Sequence, residues 1–232
     1  MQAKISENLA KVRAAISDAE RRGGRDVGST TLVAVSKTHP ADIVRLAVEA
    51  SQLLFGENRV QEAKAKAPEL PSKLEWHLIG HLQKNKVRQA LPLFEMIHGA
   101  DSIELLQDLD RIAHEMGLFP KVLLQVNLAG ESSKFGFTPV QLFKEIDAFL
   151  ELDRVQIEGL MTLPPIARVP EDSRRFFVQL REMREKLARE LGFPLRHLSM
   201  GMSGDYEVAV EEGATLVRIG TAIFGNREPR SG

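Results

Sequence analysis

Apolar residues recur along this chain at two alternating periods, and their order predicts the architecture. Ile5, Leu9, Val12 and Ile16 repeat at helical spacing, and Gly23-Gly24 stops that helix. Thr31 to Lys37 (TLVAVSK) is a short β-rich run, and a helix opens at Pro40, a residue suited to a first helical position. QLLFGEN (52–58) predicts a second strand ending in polar residues, followed by a charged helix around 59–66 and a loop marked by Pro68 and Pro71. EWHLIG (75–80) is a third strand, and QKNKVRQAL continues as a helix. EMIHGAD (95–101) is a fourth strand, and Asp101 with Glu104 has the pattern of an N-cap and its partner. Ile103, Leu106, Leu109, Ile112 and Ala113 form the apolar side of the next helix, which Gly117 ends.

The alternation continues to the end of the chain. KVLLQVN (121–127) is a fifth strand; Thr138-Pro139 with Gln141 caps a helix whose Leu142, Ile146 and Phe149 face inward. VQIEGLM (155–161) is a sixth. A long helix with Phe176, Leu180, Met183, Leu187 and Leu191 on one side stops at Gly192. RHLSMG (196–201), a short helix at about 204–212 and ATLVRIG (214–220) complete eight strand–helix units after one leading helix. Strands alternating with helices imply parallel pairing, and eight units imply a closed (β/α)8 TIM barrel, here one domain over residues 1–232. An open doubly wound sheet is the alternative, but SKTHP stands where its glycine-rich first turn belongs.

Composition narrows the function. The 232 residues are 43% hydrophobic, enough for one large core, and 31 basic against 32 acidic residues give a net charge of −1. That balance does not suit neutralising a nucleic-acid backbone. There is no cysteine, which excludes disulfides, thiolate nucleophiles and cysteine-ligated metals. The N-terminus is amphipathic and charged, unlike a secretory signal, and no apolar run approaches the roughly 20 residues of a membrane span. A cytoplasmic protein, bound to neither nucleic acid nor membrane, is expected.

In such a barrel the active site lies at the C-terminal ends of the strands. Those ends carry Lys37, Glu57-Asn58, Gly80-His81, Asp101, Asn127, Met161, Ser199 and Arg218. Lysines are mostly exposed, and a surface lysine capping a strand is the ordinary reading of Lys37. A lysine stripped of water by apolar walls instead becomes a neutral amine able to attack carbonyls. The loops SMGMSGD (199–205) and IGTAIFG (219–225) are rich in small residues, so backbone N–H groups can approach a phosphate, with Ser203 and Thr221 adding hydroxyls. Alternation places Arg218 on the face of Leu216, and closure would set strand eight beside strand one, near Lys37. An outward arginine paired with a helix carboxylate fits the spacing equally well. A Schiff-base lysine, a phosphate cradle and a guanidinium partner for a pyridine nitrogen together describe a pyridoxal 5′-phosphate (PLP) site.

LVAVSKTHP, FGENRVQEA, WHLIGHLQKNK, GLMTLP, LSMGMSGD and VRIGTAIFG resemble the pyridoxal phosphate homeostasis proteins, the bacterial YggS and human PROSC family, over nearly the whole chain. The resemblance implies a barrel of the alanine racemase N-terminal type carrying PLP as an aldimine on Lys37. It further implies Arg218 facing the pyridine nitrogen, Ser203, Gly220 and Thr221 around the phosphate, and Asn58 and Met161 along the ring. Some relatives have proline where this chain has His81.

Racemisation needs groups on opposite faces of the substrate carbon. Alanine racemases supply the second with a tyrosine and a second, β-rich domain across a dimer. This chain has one tyrosine, Tyr206, and no residues for such a domain. The expectation is therefore a monomeric, non-catalytic carrier that buffers PLP or delivers it to apo PLP-dependent enzymes. A weak amino-acid racemase and a Schiff-base aldolase acting on a sugar phosphate are the alternatives. His77 and His81 bracket a strand end and are expected to hydrogen-bond as neutral groups, not to bind metal. Lys84, Lys86 and Arg88 are expected on a solvated helix face. Lys134 is a loop cation or a transient second amine for PLP.

Overall fold

The computed structural model describes residues 2–131 and 135–225. Eight parallel strands close in sequence order into a barrel: β1 (Thr31–Val35), β2 (Leu54–Glu57), β3 (Glu75–Leu78), β4 (Met96–Ala100), β5 (Lys121–Val126), β6 (Gln156–Thr162), β7 (His197–Ser199) and β8 (Leu216–Ile219). Each is trimmed by a residue or two from its predicted ends or shifted by one. The helices between them are α2 (Ala41–Glu49), α3 (Val60–Lys66), α4 (Val87–Ala90), α5 (Ile103–Met116), α6 (Pro139–Lys144), α7 (Ile146–Leu150), α8 (Arg174–Leu191) and α9 (Tyr206–Glu211). α1 (Gln2–Arg22) precedes the barrel, and α10 (Thr221–Phe224) follows β8.

Strand alternation sorts the apolar residues into two clusters. Leu32, Ala34, Phe55, Leu78, Ile97, Leu124, Leu160, Leu198 and Val217 face outward into the layer beneath the helices. Val33, Val35, Leu54, Ile79, Met96, Leu123, Met161 and Leu216 fill the barrel interior. The seam is closed by β1 on β8, with Val33 opposite Arg218. α1 packs across that seam against α9 and α10 through Ile5, Leu9, Val12 and Ile16, and Asn8 donates to the Ile223 carbonyl at 2.9 Å.

Several local expectations need correction. Pro40 is the N-cap of α2, not its first helical residue. Asp101 does not cap α5: the Ser102 hydroxyl accepts from Leu105 N–H, and Asp101 is drawn to His81 instead. On α8 it is Phe177 that is fully buried, while Phe176 lies on the flank with the Arg175 guanidinium 4.8 Å from its ring centroid. The Thr138–Gln141 capping box forms as expected. Arg88 pairs with Glu115 and Lys84 lies 4.0 Å from Asp108, both on the exposed side of their helices. Among the described residues no helix is long and apolar enough to cross a membrane.

Candidate functional site

The turn after β1 is built to present Lys37. Ser36 N–H donates to the Gly56 carbonyl, and the Ser36 carbonyl accepts from His39 N–H at 3.1 Å and Lys66 Nζ at 2.8 Å. Thr38 sits in the left-handed region at φ 67°, a conformation that disfavours a β-branched residue. Its N–H donates to Glu62 Oε2 at 2.8 Å, and the tied turn holds it there.

A fully buried carboxylate lies under this turn. Glu57 Oε1 accepts from Ser36 Oγ at 2.6 Å and from Lys66 Nζ at 2.7 Å, while its Oε2 has no hydrogen-bond partner among the described residues. Burial pushes the Glu57 carboxyl above the usual carboxylate range, against the opposing pull of Lys66 and Ser36.

Above the barrel interior is a cavity of about 510 Å³, within the range of small-molecule sites. Lys37, Asn58, Ser203, Arg218, Gly220 and Thr221 all line it, so strands β1, β2 and β8 and the loop after β7 bring six of the seven expected site residues together. Met161 is the exception. It is fully buried in the barrel interior below, and Leu163, two residues further along the same face, lines the cavity in its place. Ile79 and Val35 add apolar wall. Gly80 is required here, because a Cβ would stand 2.4 Å from the Asn58 carbonyl oxygen. Ser203 Oγ accepts from Ala222 N–H at 3.3 Å, which ties the loop after β7 to the start of α10.

Arg218 points into the barrel, not outward. It is 3% exposed, and it donates from Nη1 to Ser199 Oγ and from Nη2 to the Thr162 carbonyl at 2.9 Å. Both partners are neutral, and no carboxylate among the described residues pairs with it. Burial lowers its pKa to about 10, so it remains a cation at neutral pH.

His98 and Gln125, which the sequence pattern did not single out, join residues that it did to complete the surroundings. His98, fully buried on the inner face of β4, bonds Ser199 Oγ through Nδ1 and His77 Nδ1 through Nε2, each at 2.9 Å. The alternation of Met96 and His98 was its only available signal. Gln125 reaches the Phe135 carbonyl at 2.9 Å and lines the cavity. His81 Nδ1 lies 2.6 Å from Asp101 Oδ2, and its ring stacks on Phe135 at 4.0 Å between centroids. Desolvation holds His77 at a pKa of about 4 and His98 well below its ordinary value, so both are neutral hydrogen-bonding groups. Tyr206 opens α9 and packs against the outer core; it is not among the cavity-lining residues. A larger, shallower hollow of about 1070 Å³ adjoins the cavity over α2 and α3, but neither Lys37 nor Arg218 lines it. Lys134 lies outside the described residues.

Comparison with known proteins agrees with this fold. The family model of the alanine racemase N-terminal domain matches residues 3–228. A pyridoxal phosphate homeostasis protein of Aquifex aeolicus is 43% identical over 96% of this chain and 98% of its own. PipY of Synechococcus elongatus PCC7942, solved with PLP bound, is 43% identical with a TM-score of 0.84, covering 95% of this chain and 100% of that one. An alanine racemase of Clostridium difficile, 15% identical, shares the fold at a TM-score of 0.70, covering 98% of this chain but 58% of the enzyme.

Proposed function

This chain belongs to the alanine racemase N-terminal domain family, among the pyridoxal phosphate homeostasis proteins, and from that premise we propose that it holds PLP covalently on Lys37 for storage and delivery, not for turnover. The observation that carries the reading is Arg218. A buried charge is costly unless it is paired, and the hydrogen-bond partners of this guanidinium among the described residues are neutral, with the through-space pull of Asp205 alone opposing its desolvation, beside a cavity that also holds a lysine and two hydroxyls. A ligand that offers an unprotonated ring nitrogen to the guanidinium, a phosphate to the hydroxyls and an aldehyde to the lysine fits that donor set. Lys37 Nζ would form the covalent link, Ser203 and Thr221 with the Gly220 backbone would hold the phosphate, Asn58 and Leu163 would flank the ring, and Arg218 would face the ring nitrogen. When bound, the cofactor supplies an aldehyde carbon that condenses reversibly with amines.

Two features favour holding over catalysis. A guanidinium has no proton to give at accessible pH, so Arg218 would leave the ring nitrogen unprotonated and weaken the electron sink that carbanion chemistry needs. The single tyrosine lies outside the cavity lining, which removes the obvious second proton-transfer group of a racemase. The recipients would be apo PLP-dependent enzymes, and the protein would act as a monomer in the cytoplasm.

The test pairs delivery with turnover. PLP-loaded protein mixed with an apo-enzyme should restore that enzyme's activity. The same protein in deuterated water should exchange no amino-acid α-proton at ordinary enzyme rates, typically about 1–1,000 s⁻¹. Lys37-dependent exchange at those rates would replace the carrier reading with a racemase-type enzyme. Failure to take up PLP, with imine formation on a sugar phosphate instead, would favour the aldolase.

A further inference from the structure

Four buried side chains form a continuous polar line among the apolar residues of the barrel interior. Arg218 donates to Ser199 Oγ; Ser199 Oγ lies 2.9 Å from His98 Nδ1; His98 Nε2 lies 2.9 Å from His77 Nδ1. They come from β8, β7, β4 and β3, and none is more than 4% exposed. The surrounding interior is Val33, Leu54, Met96, Leu123, Met161 and Leu216. The two histidine rings are 4.9 Å apart between centroids.

The direction of this line follows from its top. A guanidinium has five N–H donors and no acceptor, so Ser199 Oγ must accept from Arg218. The Ser199 hydroxyl proton then needs an acceptor, and His98 Nδ1 is the one within reach among the described residues. If His98 donated instead, that proton would be left unpaired in a fully buried place, at the full cost of an unmade bond. Serine donation makes Nδ1 of His98 the unprotonated nitrogen and Nε2–H its donor. His98 then donates to His77 Nδ1, which is unprotonated in turn, and His77 carries its proton on Nε2. Protonating either ring would add a second cation beside Arg218 in a low-dielectric interior, which burial already opposes.

We propose that Ser199, His98 and His77 are positioning residues forming a one-way hydrogen-bond chain that orients the Arg218 guanidinium toward whatever occupies the cavity. The second anchor is the Thr162 carbonyl, itself braced as the Thr162 hydroxyl donates to the Val126 carbonyl at 2.9 Å. Two N–H groups of the guanidinium are thus spent on β6 and β7, and the rest of the fork remains for the cavity. The role toward a bound ring nitrogen rests on the PLP reading above; the chain itself does not.

The experiment uses the full-length, PLP-free, 15N-labelled protein at pH 7. Long-range proton–nitrogen correlation should show both His77 and His98 protonated on Nε2 and unprotonated on Nδ1. Ser199→Ala should displace the His98 Nδ1 resonance and speed solvent exchange of the Arg218 guanidinium protons by about tenfold, the loss of one charge-assisted hydrogen bond. Ser199→Thr, which keeps the hydroxyl, should restore both. After loading with PLP, the absorption maximum of Ser199→Ala should differ from wild type and return in Ser199→Thr. A proton on Nδ1 of either histidine in the wild type, unchanged Arg218 exchange in Ser199→Ala, or an unmoved absorption maximum would overturn the proposal. If wild-type protein takes up no PLP, the carrier reading fails, and the PLP-free spectra still decide the chain.

Discussion

Lys66 and Glu57 form a buried ion pair, Nζ to Oε1 2.7 Å, beneath the turn that carries Lys37. Lys66 does two things at once, since the same ammonium also holds the Ser36 carbonyl. Replacing it with methionine would leave a fully buried carboxylate with only a serine for company. Lys66→Met should cost about 3–5 kcal/mol at pH 7, measured by chemical denaturation. The double variant Lys66→Met/Glu57→Gln should recover a large part of that loss, because no unpaired charge remains. Because the carboxyl is pushed up by burial, Lys66→Met should also regain stability as the pH falls and Glu57 takes up a proton, the opposite of ordinary acid destabilisation.

That pair also marks where sequence reasoning stops. Period-two alternation put Arg218 and Leu216 on one face, and the same period separates Val33 and Val35 from Leu32 and Ala34 in the barrel, because the side-chain period of a strand is a geometric constant. Closure then fixed β8 against β1. Alternation along a chain carries no information about which polar groups meet across a barrel. Lys66 reads as one more cation on a charged helix, and nothing nearby in sequence announces Glu57 as its partner. Asp101 fits a capping pattern that Ser102 fulfils, since the choice between adjacent residues depends on where His81 stands. Phe176 and Phe177 differ by 100° around a helix, and only the packing of α8 on the barrel selects Phe177 for the core. Met161 and Leu163 share a face two residues apart, so depth along the barrel, not pattern, decides which of them lines the cavity.

Lys37→Ala should abolish covalent PLP attachment while leaving the barrel folded. Its side chain is half-buried at the rim of the cavity, outside both apolar clusters. Borohydride reduction followed by peptide mass spectrometry should place the pyridoxyl group on Lys37 in the wild type, with far-ultraviolet circular dichroism unchanged in the variant. A main adduct on Lys134 or Lys84 would remove Lys37 from the central role.

Ser203→Ala and Thr221→Ala should each weaken PLP more than unphosphorylated pyridoxal. Both hydroxyls line the cavity where the loop after β7 meets α10. A charge-assisted contact to phosphate is worth roughly 1.5–3 kcal/mol, about a tenfold to hundredfold change in affinity. Titration of the two vitamers against each variant measures the difference directly. Equal losses would place the phosphate elsewhere.

Acid should destabilise the barrel through its buried histidines in a defined window. His77 is held at a pKa of about 4 against an ordinary 6.5, and His98 is also held well below 6.5, both chiefly by desolvation. Between those values the unfolded chain binds protons that the folded one refuses, so stability falls as the pH drops below about 6.5. Above that both states are neutral and the histidines contribute no slope. For His77 alone the loss accumulates to roughly 3 kcal/mol by the time the pH reaches its folded value. Glu57 works in the other direction, since its raised pKa makes the folded state the better proton acceptor near the carboxylate range, which softens the lower end of the fall. Urea denaturation at pH 7.5, 6, 5 and 4.5 should therefore show a declining midpoint beginning near pH 6.5. In His77→Gln that decline should be shallower by the share His77 supplied, with a penalty at pH 7.5 for the altered bond to His98. A slope unchanged in His77→Gln would mean that this ring takes up its proton alike in the folded and unfolded protein, and so that burial does not hold it neutral.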